Sequence, residues 1–253
     1  MINRLGAQLY TIRSILTDEA SIASSFAKLK ALGYDEIQTA GYCGLDVPEF
    51  AKLASDAGLK VCGTLCNFDE LIADPDKAMK EHELLGTKYI GVSIMPGHYQ
   101  DTPEHIMDFI EKACRFSEII GKEGYKFTYH NHSFEFRKIN GRRIFDIMAD
   151  EFDPNYISFV LDTYWVQHGG GDIVQWMDKL NGRIDILHLK DMAMADKQFF
   201  TEIGNGNINF DPIITKAAEI GVRHYVVEQD TCPCDPFDSL KFSHDYIMSK
   251  YSV

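Results

Sequence analysis

The feature that most constrains the fold of this chain is an alternation of short apolar runs with longer stretches of helical period, repeated eight times. The apolar runs cover residues 5–11, 36–40, 60–65, 89–95, 126–132, 157–162, 184–190 and 225–230. The run at 89–95 is almost uniformly apolar, which is typical of a strand covered on both faces. Eight strand–helix units in succession predict parallel strands joined by right-handed crossovers. The pattern therefore predicts an α/β fold, a single (β/α)8 TIM barrel.

The stretches between the runs have the spacing of amphipathic helices. The clearest one, closed by Gly121, places its apolar residues on one stripe, namely Ile106, Phe109, Ile110, Ala113, Phe116, Ile119 and Ile120. Further helices are expected from about Asp18 to Gly33, at 48–58, before Gly86, and at 144–152, 172–180, 210–221 and 236–251. A long loop is expected between the seventh strand and the helix that begins near Phe210.

A doubly wound open sheet is the competing architecture. That fold usually has a Gly-rich turn after its first strand, and residues 10–16 contain no glycine. The chain has 253 residues, which is the usual length of a TIM barrel. Since no Pro/Gly/Ser-rich linker divides it, we expect residues 1–253 to form one domain.

The composition limits the classes of partner. The formal net charge of −13 repels phosphate backbones, so nucleic acid is not an expected partner. No apolar stretch approaches the roughly 20 residues of a membrane span, so no membrane partner is expected either. The six cysteines lack zinc-finger spacing and residues 1–11 lack a signal-peptide pattern. We therefore expect a reduced cytoplasmic protein with free thiols.

Imidazole and carboxylate side chains gather where the last four strands end. His130 and His132 close the fifth strand, Asp162 the sixth, His188 and Lys190 the seventh, and Glu228 and Asp230 the eighth. The carboxyl ends of barrel strands meet at one face, which carries the active site. His130, Asp162, His188 and Glu228 are therefore predicted to hold one divalent ion. Such ligands suit Mn, Zn, Co or Fe better than Ca. Taken singly, each could instead be a hydrogen-bonded core or turn residue.

The stretches YHNHSFEF, LDTYWVQHGG, LHLKDM, FTEIGNGNINF and VVEQD resemble the xylose isomerase-like sugar phosphate isomerase/epimerase superfamily, in its branch with YHNH and LDTYW motifs. The resemblance covers nearly the whole chain. It implies a metal held by residues of strands five to eight, which fall here on His130, Asp162, His188 and Glu228. Relatives have a glutamate where this chain has His130. In the keto-sugar epimerases two metal-bound glutamates also move protons, and only Glu228 of that pair is present here.

The resemblance implies a small sugar, keto-sugar or polyol as the substrate, and an isomerase or epimerase that works through an enediolate. The alternative is a metal-dependent lyase or dehydratase, as in inosose dehydration or 3-keto-glycoside cleavage. Glu228, Lys190 and His132 are the candidate catalytic residues. The candidate substrate-binding residues are Tyr164, Trp165, Glu135 and Asp230.

Three further alternatives remain open. The chain could be a binding or regulatory protein with a decayed site, which would hold no metal. It could be a DNA-repair enzyme, because endonuclease IV shares the barrel, although the acidic charge argues against DNA. A homo-oligomer is also compatible with the resemblance, since relatives are often dimers or tetramers.

Overall fold

A computed structural model describes residues 2–252 and contains the eight expected strands in one parallel sheet. They are β1 (Gly6–Gln8), β2 (Glu36–Ala40), β3 (Lys60–Leu65), β4 (Tyr89–Val92), β5 (Lys126–His130), β6 (Ile157–Asp162), β7 (Ile184–Leu189) and β8 (His224–Val227). The order across the sheet is β3-β2-β1-β8-β7-β6-β5-β4. A bridge between Cys66 and Val92 joins the two edge strands. The sheet is thus a nearly closed barrel, and the expected TIM-barrel fold is confirmed.

The closure between β3 and β4 requires a glycine. The Cys66 amide donates a 2.8 Å hydrogen bond to the Gly91 carbonyl. A Cβ atom at Gly91 would lie 2.2 Å from the Thr64 carbonyl oxygen and 2.6 Å from Thr128 Oγ1. Only a residue without a side chain lets the two strands approach this closely.

Ten α-helices lie in the described part of the chain: α1 (Glu19–Ala31), α2 (Val47–Asp56), α3 (Phe68–Ala73), α4 (Pro75–Leu85), α5 (Pro103–Lys122), α6 (Ile144–Glu151), α7 (Thr163–His168), α8 (Ile173–Lys179), α9 (Phe210–Glu219) and α10 (Pro236–Tyr251). Local sequence explains several of their ends. Asp18 and Ser21 form a capping box at the start of α1, which satisfies amides that have no partner within the helix. Gly86 ends α4 in the left-handed conformation.

Several local expectations were wrong, among them the following three. The first strand ends at Gln8, because the Gln8 side chain accepts a hydrogen bond from the Tyr10 amide and starts a 3-10 turn. Ile119 is 47% exposed and does not share the buried stripe of α5. The expected long loop after β7 contains an antiparallel hairpin, in which Asp191–Met194 pairs with Gln198–Thr201.

The core has two parts. The larger apolar cluster fills the space between the barrel and its helices. A smaller cluster of Cys62, Val160, Ile186 and Val226 fills the barrel interior. All six cysteines are free, as expected. Among residues 2–252, no helix is long and apolar enough to cross a bilayer.

Candidate functional site

The candidate site is the layer of side chains directly above the apolar cluster inside the barrel. Successive side chains of a strand point to opposite faces, so residues two apart point the same way. Two positions beyond the interior residues Val160, Ile186 and Val226 stand Asp162, His188 and Glu228. The strand register places Asp162 directly beside His188. Strand alternation therefore aims these three polar side chains at the barrel axis.

Together with His130 at the end of β5, these residues form a buried cluster of potential metal ligands. One nitrogen or oxygen atom from each of the four lies within 4.8 Å of the others. His130 Nε2 is 3.3 Å from Asp162 Oδ2. His188 Nδ1 is 3.0 Å from Glu228 Oε2 and 3.7 Å from Asp162 Oδ2. The structure thus brings the four predicted ligands together.

In each of the two histidines of the cluster, the ring nitrogen that faces away from the cluster makes a hydrogen bond that holds the ring. His130 Nδ1 donates to the Ser93 carbonyl oxygen at 2.9 Å, and His188 Nε2 donates to Gln38 Oε1. In metal sites, a ligating histidine usually donates its second N–H to such an acceptor, which fixes the ring and its tautomer. His130 Nε2 and His188 Nδ1 are therefore oriented to offer lone pairs to a cation.

Lys190 provides a buried positive charge beside the cluster. Its ammonium nitrogen is 3.0 Å from Glu228 Oε2, 3.5 Å from Asp162 Oδ2 and 2.5 Å from Asp230 Oδ1. Three ionised carboxylates therefore surround one ammonium and leave two negative charges when the imidazoles are neutral. A divalent cation would balance that surplus, so both the charge and the donor types fit a divalent metal.

The protonation states of these groups follow from opposing effects. Burial raises the pKa of Glu228, but the neighbouring Lys190 and His188 lower it by more than burial raises it, so the net pKa is depressed. Burial also raises the pKa of Asp162, and Lys190 and His130 again outweigh it. Burial lowers the pKa of Lys190, while Asp162, Glu228 and Asp230 raise it above its ordinary value. Near neutral pH, both acids of the cluster are ionised and Lys190 is protonated.

His132 stands at the wall of the site as a neutral imidazole. Burial, reinforced by the neighbouring His130 and Lys190, lowers the pKa of His132 to about 3. Glu135 accepts hydrogen bonds from the His132 amide at 2.9 Å and from the Tyr129 hydroxyl at 2.7 Å. Burial raises the pKa of Glu135 to about 7. Glu135 therefore holds the segment that carries His132.

The aromatic residues after β6 contact the hairpin that follows β7. The Tyr164 ring lies 4.2 Å from the Phe200 ring, and the Trp165 ring lies 5.6 Å from it, centre to centre. The Lys190 ammonium is 5.3 Å from the Trp165 ring and 5.1 Å from the Phe200 ring. These rings shield the lysine and strengthen its attraction to the carboxylates.

A cavity of about 280 Å³ opens above the cluster. Of the predicted site residues, it is lined by His130, His132, Lys190, Glu228 and Asp230. Asp162 and His188 are completely buried beneath it. Glu135, Tyr164 and Trp165 do not line it; Tyr164 is buried and packs against Phe200.

Sequence reasoning missed the residues that support the ligands. Gln38 Oε1 also accepts a 2.7 Å hydrogen bond from Gln8 Nε2, and Asn131 Oδ1 accepts the Asp162 amide at 3.0 Å. Gln8, Gln38 and Asn131 are completely buried. The available signal was a polar amide within or directly after an apolar strand, since such a group needs a buried partner.

Comparisons with known proteins agree with the barrel fold. The family described as the xylose isomerase-like TIM barrel matches residues 26–231. Two solved structures of sugar phosphate isomerase/epimerase proteins from Parabacteroides distasonis are similar over 99% of this chain. One is 27% identical with a TM-score of 0.84 over 99% of its own chain, and the other is 25% identical with a TM-score of 0.82 over 95%.

Curated relatives include proteins named inosose dehydratase. The protein from Geobacillus kaustophilus is 25% identical over 163 residues, which is 57% of this chain and about half, 51%, of the relative. The protein from Clostridium perfringens is 23% identical over 216 residues, or 71% of this chain and 72% of the relative. The chain is thus similar both to structures of sugar phosphate isomerase/epimerase proteins and to proteins named inosose dehydratase.

Proposed function

Because the chain belongs to the xylose isomerase-like TIM barrel family, we propose that it is a metal-dependent isomerase or epimerase of a small sugar, keto-sugar or polyol. The observation that carries this proposal is the buried convergence of His130, Asp162, His188 and Glu228, with the outer nitrogen of each histidine fixed on a carbonyl oxygen. That arrangement costs stability unless a ligand uses it, because it buries charges and imidazoles together.

In this proposal, His130, Asp162, His188 and Glu228 hold one divalent ion: Mn, Zn, Co or Fe. When bound, such an ion polarises a carbonyl oxygen and stabilises negative charge that develops on it. Asp162 and His188 lie beneath the cavity floor, so their proposed role is only to bind the divalent ion. Glu228 and His130 also line the cavity and can reach a substrate.

Glu228 is the proposed base. Its depressed pKa keeps the carboxylate ionised at neutral pH, and it can accept a proton from the carbon next to a substrate carbonyl, giving an enediolate. Lys190 holds Glu228 at 3.0 Å and places an ammonium where a substrate oxygen gains charge. Asp230, at the cavity wall, orients Lys190 and can accept a substrate hydroxyl.

The reaction type depends on which group returns the proton and on which carbon and face of the substrate receives it. If Glu228 gives the proton back to the neighbouring carbon, the result is an isomerisation. Epimerisation needs a proton donor on the opposite face of the substrate, and His132 is the proposed group for that role. Because it is a neutral imidazole, it would relay the proton, releasing the hydrogen of one ring nitrogen as the other nitrogen accepts one from water. Its Nδ1 is buried and has no hydrogen-bond partner among residues 2–252.

A lyase or dehydratase is the second candidate. The observation that favours it is the position of the Lys190 ammonium, a proton donor 3.0 Å from the proposed base. After Glu228 removes the proton, Lys190 could protonate a leaving hydroxyl or glycosidic oxygen at the next carbon. The similarity to relatives named inosose dehydratase supports a dehydratase as this second candidate.

The test is to incubate the metal-loaded protein with a panel of free keto-sugars, inososes and polyols in deuterated water and to follow them by NMR. Deuterium entering one carbon without loss of water indicates an isomerase or epimerase, whereas net loss of water indicates a dehydratase. The Glu228→Gln variant should retain its fold and lose exchange. Wild-type exchange by that variant, or a purified protein that binds no divalent metal, would contradict the proposal.

A further inference from the structure

A second group of potential metal ligands lies at the opposite end of the barrel. Among residues 2–252, side chains of ligand type converge in two places: the cluster described above, and a group of Glu36, Cys62 and His224. These three stand in the first halves of β2, β3 and β8, so the group lies at the face where the strands begin. One ligand atom from each residue lies within 4.8 Å of the others. The proposed mechanism uses none of them.

The strand alternation that builds the first cluster also builds this group. His224 stands two residues before the interior residue Val226, and Glu228 stands two residues after it. Because side chains two apart on a strand point the same way, His224 and Glu228 face the barrel axis at opposite ends. Cys62 belongs to the apolar cluster that fills the barrel interior. That cluster therefore has a polar layer above it and a second polar layer below it.

Gly6 lets side chains from two strands that are not neighbours meet. It lies on β1, paired with Glu36 of β2 on one side and with Val226 of β8 on the other. A Cβ atom at Gly6 would lie 3.2 Å from Val226 Cγ2 and 3.5 Å from Glu36 Cβ. With only hydrogen there, His224 Nδ1 lies 2.8 Å from Glu36 Oε2 across the intervening strand.

The group is buried and yet open to an ion. Glu36 and Cys62 are each 3% exposed, and His224 is half-buried. The Cys62 thiol donates to the Ile37 carbonyl oxygen at 3.3 Å, which uses the thiol hydrogen and leaves the sulfur lone pairs for another partner. All three side chains of the group line a surface cavity of about 1110 Å³. An ion and a water molecule can reach them from that side.

The donor atoms of the group suit zinc. A thiolate, an imidazole and a carboxylate are the three side-chain types that bind this ion, at about 2.3 Å for sulfur and about 2.1 Å for nitrogen and oxygen. A tetrahedral ion holds such atoms roughly 3.4 Å apart, so shifts of about 1 Å bring all three to one ion. Water from the cavity would complete the tetrahedron. The charges of the thiolate and of the carboxylate balance those of the ion.

The neighbouring charges are compatible with this ion. Burial and the charge of Glu36 raise the pKa of the Cys62 thiol well above its ordinary value, so the thiol ionises only when a metal replaces its proton. The Arg4 guanidinium lies 3.6 Å from Glu36 Oε1, but its side chain is 50% exposed. Arg4 can therefore turn into solvent when an ion takes its place beside the carboxylate.

We propose that Glu36, Cys62 and His224 form a structural zinc site that links the starts of β2, β3 and β8. On binding, the S–H bond of Cys62 breaks, a sulfur–zinc bond forms and the proton passes to the solvent. In TIM barrels the face where the strands begin serves stability, whereas the active site lies at the other face. The bound ion therefore stabilises the barrel and takes no part in turnover. This proposal does not depend on the proposed function.

The first experiment is a titration of the full chain with Co²⁺, followed by absorption spectroscopy. The cluster at the other face contains no sulfur, so a thiolate-to-cobalt charge-transfer band in the near ultraviolet cannot come from it. The wild type should show this band, and Cys62→Ser should lack it. Cys66→Ser is the matched control and should keep the band, because Cys66 follows the far end of β3 and belongs to neither group. No band in the wild type, or a band that persists in Cys62→Ser, would overturn the proposal.

The second experiment measures thermal unfolding and keeps every cysteine. In His188→Ala, which disables the cluster at the other face, Zn²⁺ at about 100 times its Kd should raise the Tm by about 5–10 °C. Adding His224→Gln at the half-buried edge of the group should weaken Co²⁺ binding at least about tenfold and remove that rise. Circular dichroism checks that both proteins are folded. A Tm that Zn²⁺ does not change, or changes equally in the two proteins, contradicts a structural site.

Discussion

Gln38 offers the sharpest test of the metal site, because it touches the cluster without being one of its ligands. It is completely buried in β2, and its Oε1 accepts the His188 Nε2–H and the Gln8 amide group. Gln38→Leu removes the acceptor at nearly constant volume. His188 then loses the contact that fixes its tautomer and aims Nδ1 at the cluster.

The expected loss follows from the role of such supporting contacts. Removing a hydrogen-bond partner of a ligating histidine weakens metal binding by roughly 10- to 100-fold, or about 1.4–2.7 kcal/mol. The assay is competition for Zn²⁺ or Mn²⁺ against a chromophoric chelator. Gln38→Glu is the matched control, because its carboxylate still accepts from His188, and its affinity should equal or exceed that of the wild type.

Two buried N–H groups lose their partner in Gln38→Leu, which costs about 1–3 kcal/mol of stability for each. Urea unfolding of the metal-free proteins measures that loss separately from metal affinity. Wild-type metal affinity in a folded Gln38→Leu protein would refute the reasoning, as would equal affinities for the Leu and Glu variants.

Four further outcomes are expected. Burial lowers the pKa of His82 to about 4, so the unfolded state binds a proton more readily between about pH 6.5 and 4. The wild type should therefore lose about 3 kcal/mol more stability than His82→Gln as the pH falls from 7 to 4, measured by urea unfolding. Gly91→Ala, which forces a Cβ to 2.2 Å from a carbonyl oxygen, should cost about 3 kcal/mol or more; Gly97→Ala, with nothing within 4 Å, should be nearly neutral. Lys190→Met should abolish turnover while metal binding remains or tightens, because the variant removes a cation from beside the ligands; calorimetric titration would detect the opposite result. His132→Phe should abolish formation of an epimer while Glu228 still exchanges deuterium into the carbon that it deprotonates; NMR analysis of the stereochemistry and deuterium content of the product would show the opposite result.

The layout of the cluster was predictable because it depends on two simple regularities. Parallel barrel strands all end at one face, and alternate residues on a strand point to the same side. Asp162, His188 and Glu228 each follow an apolar run, so those regularities alone bring them together. No knowledge of side-chain conformation was needed.

The supporting contacts depend on register between strands that are far apart in sequence, which composition does not encode. Two strands, β1 and β8, lie between β2 and β7, and Gln38 on β2 reaches His188 on β7 because the sheet curves around the barrel interior. The hairpin after β7 was equally hidden, because its residues carry no Asn-Gly or Asp-Gly turn signal. Hence the packing of Phe200 on Tyr164 could not be foreseen.

The resemblance implies a glutamate at the position of His130, and a histidine there changes the distribution of chemistry within the proposed mechanism. Asp162 is sealed beneath the cavity, and Glu228 is the carboxylate of the predicted metal cluster that lines it. Asp230 also lines the cavity but is engaged with Lys190. Proton abstraction therefore falls to Glu228, with Lys190 and His132 as the groups left to complete the reaction. A site with one such base is suited to a proton transfer or an elimination on a single face of the substrate, so inversion at a carbon depends on His132.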